Sequence, residues 1–504
     1  MDTLFQLYGG FLIALEPQNL ALALLGAFLG TLFGALPGLG PANGVAILIP
    51  LAFAMDLQAS SALIFLVNIY YGAMFGGRIS SILLNIPGDE PAMMTVLDGY
   101  PMAKAGRAGE ALAITAIASF VGATVATIGL TLLAPALVQF ALLFGSAEYF
   151  LLYVLAFALL GGLATGHVVK TWIATLIGLV ISTVGLDLHT GVPRFTFNEM
   201  KLFEGVDPIV AIIGFFAISE VLWLLRSQGT GSTFKAKVGK TVVGLAVLRR
   251  TFFTMIRSSF IGFVCGVLPG AGATLGSFAA YSLERKWVDK EGTFGTGDPR
   301  GVAAPEAGNN AAAGGALVPM LALGIPGSGT TAVLLGVLIS LNVTPGPLLF
   351  TQRPDVAWGL IAALYMSNVV LLVLNLPLVG IFVRLLSVPV QLLLPIVALI
   401  CFVGVYAISH SVFDIYMMIA MGTFAYFLRL VDIPLVPIVL GILLGGDMET
   451  NLRRAISLSN GDWSILFGSP VALTLWALIV LMAVLPMIME RFKSKRVLPA
   501  ANED

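Results

Sequence analysis

Long charge-free windows dominate this chain. No Asp, Glu, Lys or Arg occurs between Glu16 and Asp56, Glu110 and Glu148, Arg257 and Glu284, Glu306 and Arg353, Arg384 and Asp414, or Asp462 and Glu490. A helix that crosses a bilayer needs about 20 mainly apolar residues, and every window is long enough. Shorter windows at 57–77, 149–169 and 356–383 also qualify. Composition leaves few other options, since the 504 residues are 58% hydrophobic and only 11% charged. A soluble domain carries roughly a quarter charged residues, and a single core stops growing near about 300 residues. The reading is an all-α, polytopic integral membrane protein with about 10–12 transmembrane helices, some of them broken or re-entrant.

Several classes are excluded early. There is no basic tract, so no nucleic-acid partner is expected. Cys265 and Cys401 lie in apolar segments and suit packing rather than a disulfide or zinc site. The three scattered histidines, His167, His189 and His410, form no metal cluster, and no protein metal site or cofactor is expected. His167, His189 and Lys170 are expected near membrane surfaces. A cleavable signal needs a basic n-region, and the first Lys or Arg is Arg78, so none is expected. No Walker A motif is present, which argues against ATP hydrolysis. The glycines at 38, 40 and 44 have the wrong spacing for a dinucleotide fingerprint. Gly445-Gly446-Asp447 faintly resembles an intramembrane aspartyl protease site but lacks a partner motif.

An internal repeat organises the chain. GTLFGALPGLGPANG at 30–44 matches GFVCGVLPGAGATLG at 262–276, with seven identities in fifteen positions. A second match follows each copy: Gly76-Gly77 leads to Ile86-Pro87-Gly88, and Gly314-Gly315 leads to Ile325-Pro326-Gly327. The expected organisation is a first transmembrane half at 1–225, a basic linker at 226–251, a second half at 252–490 and a C-terminal tail at 491–504. The linker carries Arg226, Lys235, Lys237, Lys240, Arg249 and Arg250 without one acidic residue, and the positive-inside rule makes it and the basic tail cytoplasmic. No Lys or Arg precedes the first repeat, which suits the outside. The two halves are therefore expected to have inverted topology.

Glycine and proline inside apolar runs mark the candidate site. Proline removes a backbone donor, and unpaired backbone groups facing lipid cost several kcal/mol each. Broken backbone survives where it is buried in protein or lines a cavity, and matching breaks in two halves point to a transport site. Free N–H groups at half-helix N-termini suit a carboxylate; unwound carbonyls near the breaks suit Na⁺. The candidate substrate-binding residues are Gly38, Gly40, Asn43, Ser80, Ser81, Asn85, Pro87 and Gly88 in the first half. Gly270, Gly272, Thr274, Asn309, Asn310, Pro326, Gly327, Ser328, Thr330 and Thr331 are their counterparts in the second. Simple alternatives stand beside these: glycines close-pack helices, and Ser or Thr hydroxyls bond their own backbone. Asn85 and Asn310 are singled out because a buried amide must find partners. Arg78 could clamp a substrate carboxylate, pair with Asp89 or Glu90, or snorkel. Glu306 could hold a proton or cation, or be an interfacial carboxylate at a helix start. No nucleophile with a base, and no pair of acids, supports catalysis, so an enzyme is not expected; a membrane channel is the main alternative to a carrier, an intramembrane enzyme the lesser one.

At these residues the chain resembles the large membrane subunit of tripartite tricarboxylate transporters, the TctA family. The resemblance rests on GALPGLGPANGVAILIPLAF (34–53), YYGAMFGGRISSILLNIPGDEPAMMTVLDGYPMAKAGRAGEAL (70–112), GVLPGAGATLGSF (266–278) and PEAGNNAAAGGALVPMLALGIPGSGTTAVLLG (305–336). It implies a bacterial inner-membrane uptake system for citrate or another di- or tricarboxylate. A periplasmic binding protein of TctC type would deliver substrate, and a small TctB-type membrane subunit would partner this chain. The resemblance also implies symport driven by a Na⁺ or H⁺ gradient. By analogy with other inverted-repeat transporters, it suggests elevator-like movement of the broken-helix core.

Overall fold

A computed structural model describes residues 2–163, 168–187, 189–226, 238–270, 272–386 and 390–494. The structure is helical almost throughout, relieved by one two-residue hairpin, Gly185–Leu186 against Pro193–Arg194. Among the described residues, seven helices are long and apolar enough to cross a membrane, from Pro17–Ala35 to Leu435–Leu458. Shorter apolar helices such as Gly40–Ala54 and Gly329–Ser340 accompany them. Many large apolar side chains are exposed, Phe253, Phe260, Leu399 and Tyr416 among them. Such a surface is stable in lipid and not in water. This is the expected all-α polytopic membrane protein.

Eight helices frame the centre. Four come from the first repeat: α1 (Pro17–Ala35), α2 (Gly40–Ala54), α3 (Ala59–Leu84) and α4 (Met93–Lys104). Four come from the second: α5 (Leu245–Val267), α6 (Gly272–Val288), α7 (Pro299–Leu323) and α8 (Gly329–Ser340). Both long charge-free windows around the breaks are thus divided, the first between α1 and α2, the second between α7 and α8.

Small residues set the packing. In α1, Gly30 and Gly34 lie on the α3 backbone at Ile69 and Ala73, where any Cβ would overlap main-chain atoms. In α5, Gly262 and Gly266 lie in the same way on Gly308 and Ala312 of α7. Gly76 of α3 meets the Thr31 carbonyl, and Gly315 of α7 meets that of Phe263. The motif that repeats in sequence therefore repeats as a close helix crossing, the arrangement small residues permit in lipid.

α3 and α7 are the most enclosed helices. Every described α7 residue from Pro299 to Ala322 other than Arg300 is buried, and so is α3 from Ser60 to Leu83. They run past each other in opposite directions. Tyr70 of α3 donates to the Ala313 carbonyl of α7 at 3.3 Å. Seven residues further along α3, Gly77 has Ala92 packed against it, and Thr95 just beyond bonds Glu306, seven residues earlier in α7. Inverted repeats require equivalent helices to be antiparallel in this sense.

Residues 227–237 of the linker expected at 226–251, with Lys235 and Lys237, lie outside the described residues, and from Leu245 the linker already belongs to α5. The tail from 495 and His167 also lie outside them. His189 and His410 are exposed, Lys170 pairs with Asp432 at 3.6 Å, and both cysteines are free thiols.

Candidate functional site

The two kinds of break meet within each half. α1 ends at Leu36, and Gly38 then takes a φ of 86°, followed by Gly40 at 62°. In the second half Gly270 and Gly272 take 82° and 58°. These left-handed values favour glycine because a Cβ would crowd the backbone. The N–H of Gly38 donates to the carbonyl of Gly88 at 3.1 Å, and that of Gly270 donates to Gly327, also at 3.1 Å. Each LPG elbow is therefore tied to its own IPG elbow by one equivalent main-chain hydrogen bond.

The IPG elbows are built alike. α3 ends in the left-handed region at Asn85 (φ 59°), and α7 ends so at Gly324 (72°). This is the usual way to stop a helix with Gly or Asn. The chain then doubles back along the helix it has left. A Cβ on Gly88 would lie 2.6 Å from the Gly77 Cα, and one on Gly327 would lie 2.7 Å from the Ala316 Cα. Pro87 is half-buried and Pro326 buried at these turns.

Side-chain contacts join the two halves into one arc. Gly40 faces Asp89, with 3.6 Å between its Cβ position and the Asp89 Cβ; Gly272 faces Ser328 at 3.7 Å. Thr274 of the second half donates to Glu90 of the first at 3.5 Å. The Tyr70 hydroxyl, already on Ala313, also engages Ser328. Gly38, Glu90 and Thr274 are exposed, so the arc has an open side. Leu36, Pro37 and Leu39 of the first elbow also border a small apolar cavity with Phe33, Ile47 and Glu220.

Helix ends point into this arc with both polarities. α2 starts at Gly40 with no side-chain cap on its first N–H groups, which leaves donors for an anion. α8 starts differently: Ser328 and Thr331 form a reciprocal capping box, and Thr330 is buried behind it. The C-terminal ends of α1, α3, α5 and α7 offer carbonyls nearby.

Other predicted residues are engaged elsewhere. Asn43 donates to Glu220 at 3.0 Å, and Glu220 is paired with Arg429 at 2.7 Å. Ser80 bonds the Gly77 carbonyl, and Ser81 bonds the Gly77 and Ala92 carbonyls. Asn85 is exposed rather than a buried amide, and its backbone is a left-handed helix end. Arg78 is fully buried and turned away from Asp89 and Glu90: it donates to the carbonyls of Phe75 and Leu112, to Thr115 and to Asn375. Snorkelling is thereby ruled out.

Glu306 is not at a helix start. It lies two turns inside α7, fully buried, accepting from Thr95 at 2.6 Å and Ser119 at 3.1 Å. Asn310 donates to Ser119 and to the Glu306 carbonyl, and its Oδ1 has no partner among the described residues. Both amide atoms of buried Asn309 are likewise unpartnered there. Among the described residues, no group of His, Cys, Asp and Glu is arranged to hold a metal ion. Sequence reasoning missed Tyr70, Thr95 and Ser119, and weighed Asp89 only as a partner for Arg78. Its place immediately after the break was the signal.

Fold and site together define a polytopic membrane transport protein built on paired discontinuous helices. A family model described as "Tripartite tricarboxylate transporter TctA family" matches residues 20–440, and the chain belongs to that family. It is similar to an uncharacterized 52.8 kDa protein in the TAR-I ttuC' 3' region of Agrobacterium vitis, 39% identical over 507 residues and covering all of both chains. It is also 40% identical over 238 residues to an uncharacterized protein in the TAR-II ttuC' 3' region of the same organism; that match covers 47% of this chain and 97% of the relative. No solved structure matches.

Proposed function

We propose that this chain is the large, translocating subunit of a binding-protein-dependent importer for a small di- or tricarboxylate such as citrate. The reading places the substrate at the arc formed by the two elbow pairs. The observation that supports it most is that the two elbows, each closed on itself by Gly40 with Asp89 and by Gly272 with Ser328, are joined across the halves by Thr274 and Glu90. The uncapped N–H groups at the start of α2 and the Ser328 hydroxyl at the start of α8 would donate to carboxylate oxygens. Neutral hydroxyls there would bond the anion without burying a fixed cation.

In this reading the two halves, 1–225 and 252–490, are inverted in a bacterial inner membrane, with a cytoplasmic linker between them. A periplasmic TctC-type protein delivers the substrate, a small TctB-type subunit completes the membrane part, and a Na⁺ or H⁺ gradient supplies the energy. The test is uptake by all three components in proteoliposomes, with a panel of labelled carboxylates and imposed Na⁺ or pH gradients. Accumulation above the external concentration that needs both the binding protein and a gradient supports the proposal. Flux that is linear in substrate and indifferent to both would instead favour a channel.

A further inference from the structure

The duplicated elbows differ in charge just after the IPG break, where Asp89-Glu90 of the first half stands against Ser328-Gly329 of the second. The residue after the IPG break is Ser328 in the second half, where it caps α8 and meets Thr331 and Tyr70. In the first half it is Asp89. Asp89 is 9% exposed; its Oδ1 accepts the Ala92 N–H at 3.0 Å, and its Oδ2 is buried with no hydrogen-bond partner among the described residues. Gly77 and Gly40 make room for the carboxyl, and a Cβ on Gly77 would sit 2.9 Å from Oδ1.

No basic group answers this carboxyl. Among the described residues Asp89 makes no ion pair, and the acidic groups that act on it are Glu90 beside it and Glu306 on α7. From α3 it is faced by Tyr70, while Arg78 is held by helix 108–141 and Asn375. Asp98 of α4 is taken up by Tyr281 and the N–H groups of Gly295, Gly297 and Asp298, and Glu284 of α6 by Arg257. α2 carries no charged residue.

A buried carboxylate with an unmet oxygen and acidic neighbours is unstable as a bare anion. It also sits where a negatively charged substrate would have to approach. Both problems vanish if a small monovalent cation occupies it.

We propose that Asp89 carries the coupling cation, a proton or Na⁺, and that this cation must be loaded before the carboxylate binds in the arc. The first half's elbow then supplies the cation site, beside the arc in which both halves hold the anion. The inference rests on the carboxylate-importer reading above, and one experiment separates their failures.

Three-component proteoliposomes would be assayed for accumulation and for exchange of labelled carboxylate, with the wild-type chain and with Asp89→Asn. Gradients would be imposed singly, Na⁺ at fixed pH and pH without Na⁺, so that the arm that drives the wild type identifies the cation. Asp89→Asn should lower accumulation at least tenfold and make the remaining exchange independent of that cation. Wild-type accumulation in the variant, or exchange that still responds to the cation, would overturn the inference and leave the importer reading intact. Absence of carboxylate transport by the wild type would overturn both. Should Asp89→Asn fail to fold, the wild-type chain still provides a test. A hydrophobic carbodiimide should modify Asp89, read by peptide mass spectrometry, and Na⁺ or raised pH should suppress the modification. No modification, or one indifferent to both, would count against the proposal.

Discussion

The first and second elbow pairs share a main chain and differ in their side chains. Their glycine torsions agree within a few degrees, and the Gly38–Gly88 and Gly270–Gly327 hydrogen bonds have the same length. Around that common frame, the helix contacts make Gly76 equivalent to Gly315 and Gly77 to Ala316, one residue off the match of the glycine pairs in sequence; in that register Tyr70-Tyr71 in α3 corresponds to Asn309-Asn310 in α7, Arg78 to Leu317, and Asp89 to Ser328. The frame is what glycine and proline dictate, since left-handed torsions and backbone-to-backbone contact admit little else. Charge and hydrogen bonding were free to diverge. The duplicated scaffold thus carries one acidic and one neutral elbow on the same main-chain frame.

The strongest challenge to this comparison is at the helix crossings. Gly34→Val and Gly266→Val each force a side chain into opposing main chain, and each should destabilise by about 3 kcal/mol or more. Thermal unfolding of the detergent-solubilised protein should show a comparable loss for both. A large loss in one and none in the other would break the equivalence of the crossings.

Arg78→Leu copies the second half into the first. It removes the donor from Asn375 Oδ1 and leaves that buried acceptor unmet, at a cost of about 1–3 kcal/mol. The melting temperature should fall by several degrees. An unchanged melting point would mean that Arg78 holds no structural position and would reopen a substrate role.

Gly270→Ala and Gly38→Ala sharpen the comparison. Both place alanine at a left-handed torsion, at roughly 1–2 kcal/mol. Gly270 also faces Leu160, whose nearest atom is 3.0 Å from the Cβ position, whereas nothing lies within 4 Å of Gly38. Gly270→Ala should therefore be the less stable of the two, and equal melting points would contradict the packing described. The smallest effect is expected for Ser328→Ala, which removes the α8 cap at about 1 kcal/mol; the same change should weaken uptake more than stability.

Much of this was legible in the chain itself. Uncharged windows too long for one span, interrupted at Pro37-Gly38 and Pro326-Gly327, announced broken helices, because these residues punctuate helices by local geometry. The joining of LPG to IPG was not legible, since it depends on the chain doubling back along α3 and α7. Asn85 was read as a buried amide; it is an exposed asparagine ending a helix in the left-handed region, a position local sequence does not distinguish from a buried one. Asn43 looked free until the fold brought Glu220 to it from 177 residues away. Arg78 and Glu306 could be ranked only once their neighbours were known, because buried charge is explained by partners that are distant in sequence.

The claim that both elbow pairs hold a single carboxylate is tested most directly at Thr274. In a chain whose Cys265 and Cys401 are replaced by alanine, Thr274→Cys places a thiol on the exposed side of the arc, facing Glu90. Its rate of reaction with a maleimide would be followed with and without the carboxylate that the three-component assay transports. Severalfold slowing by that carboxylate, and by no non-transported one, is the predicted result. An unchanged rate in a transport-competent variant would mean that substrate passes somewhere else.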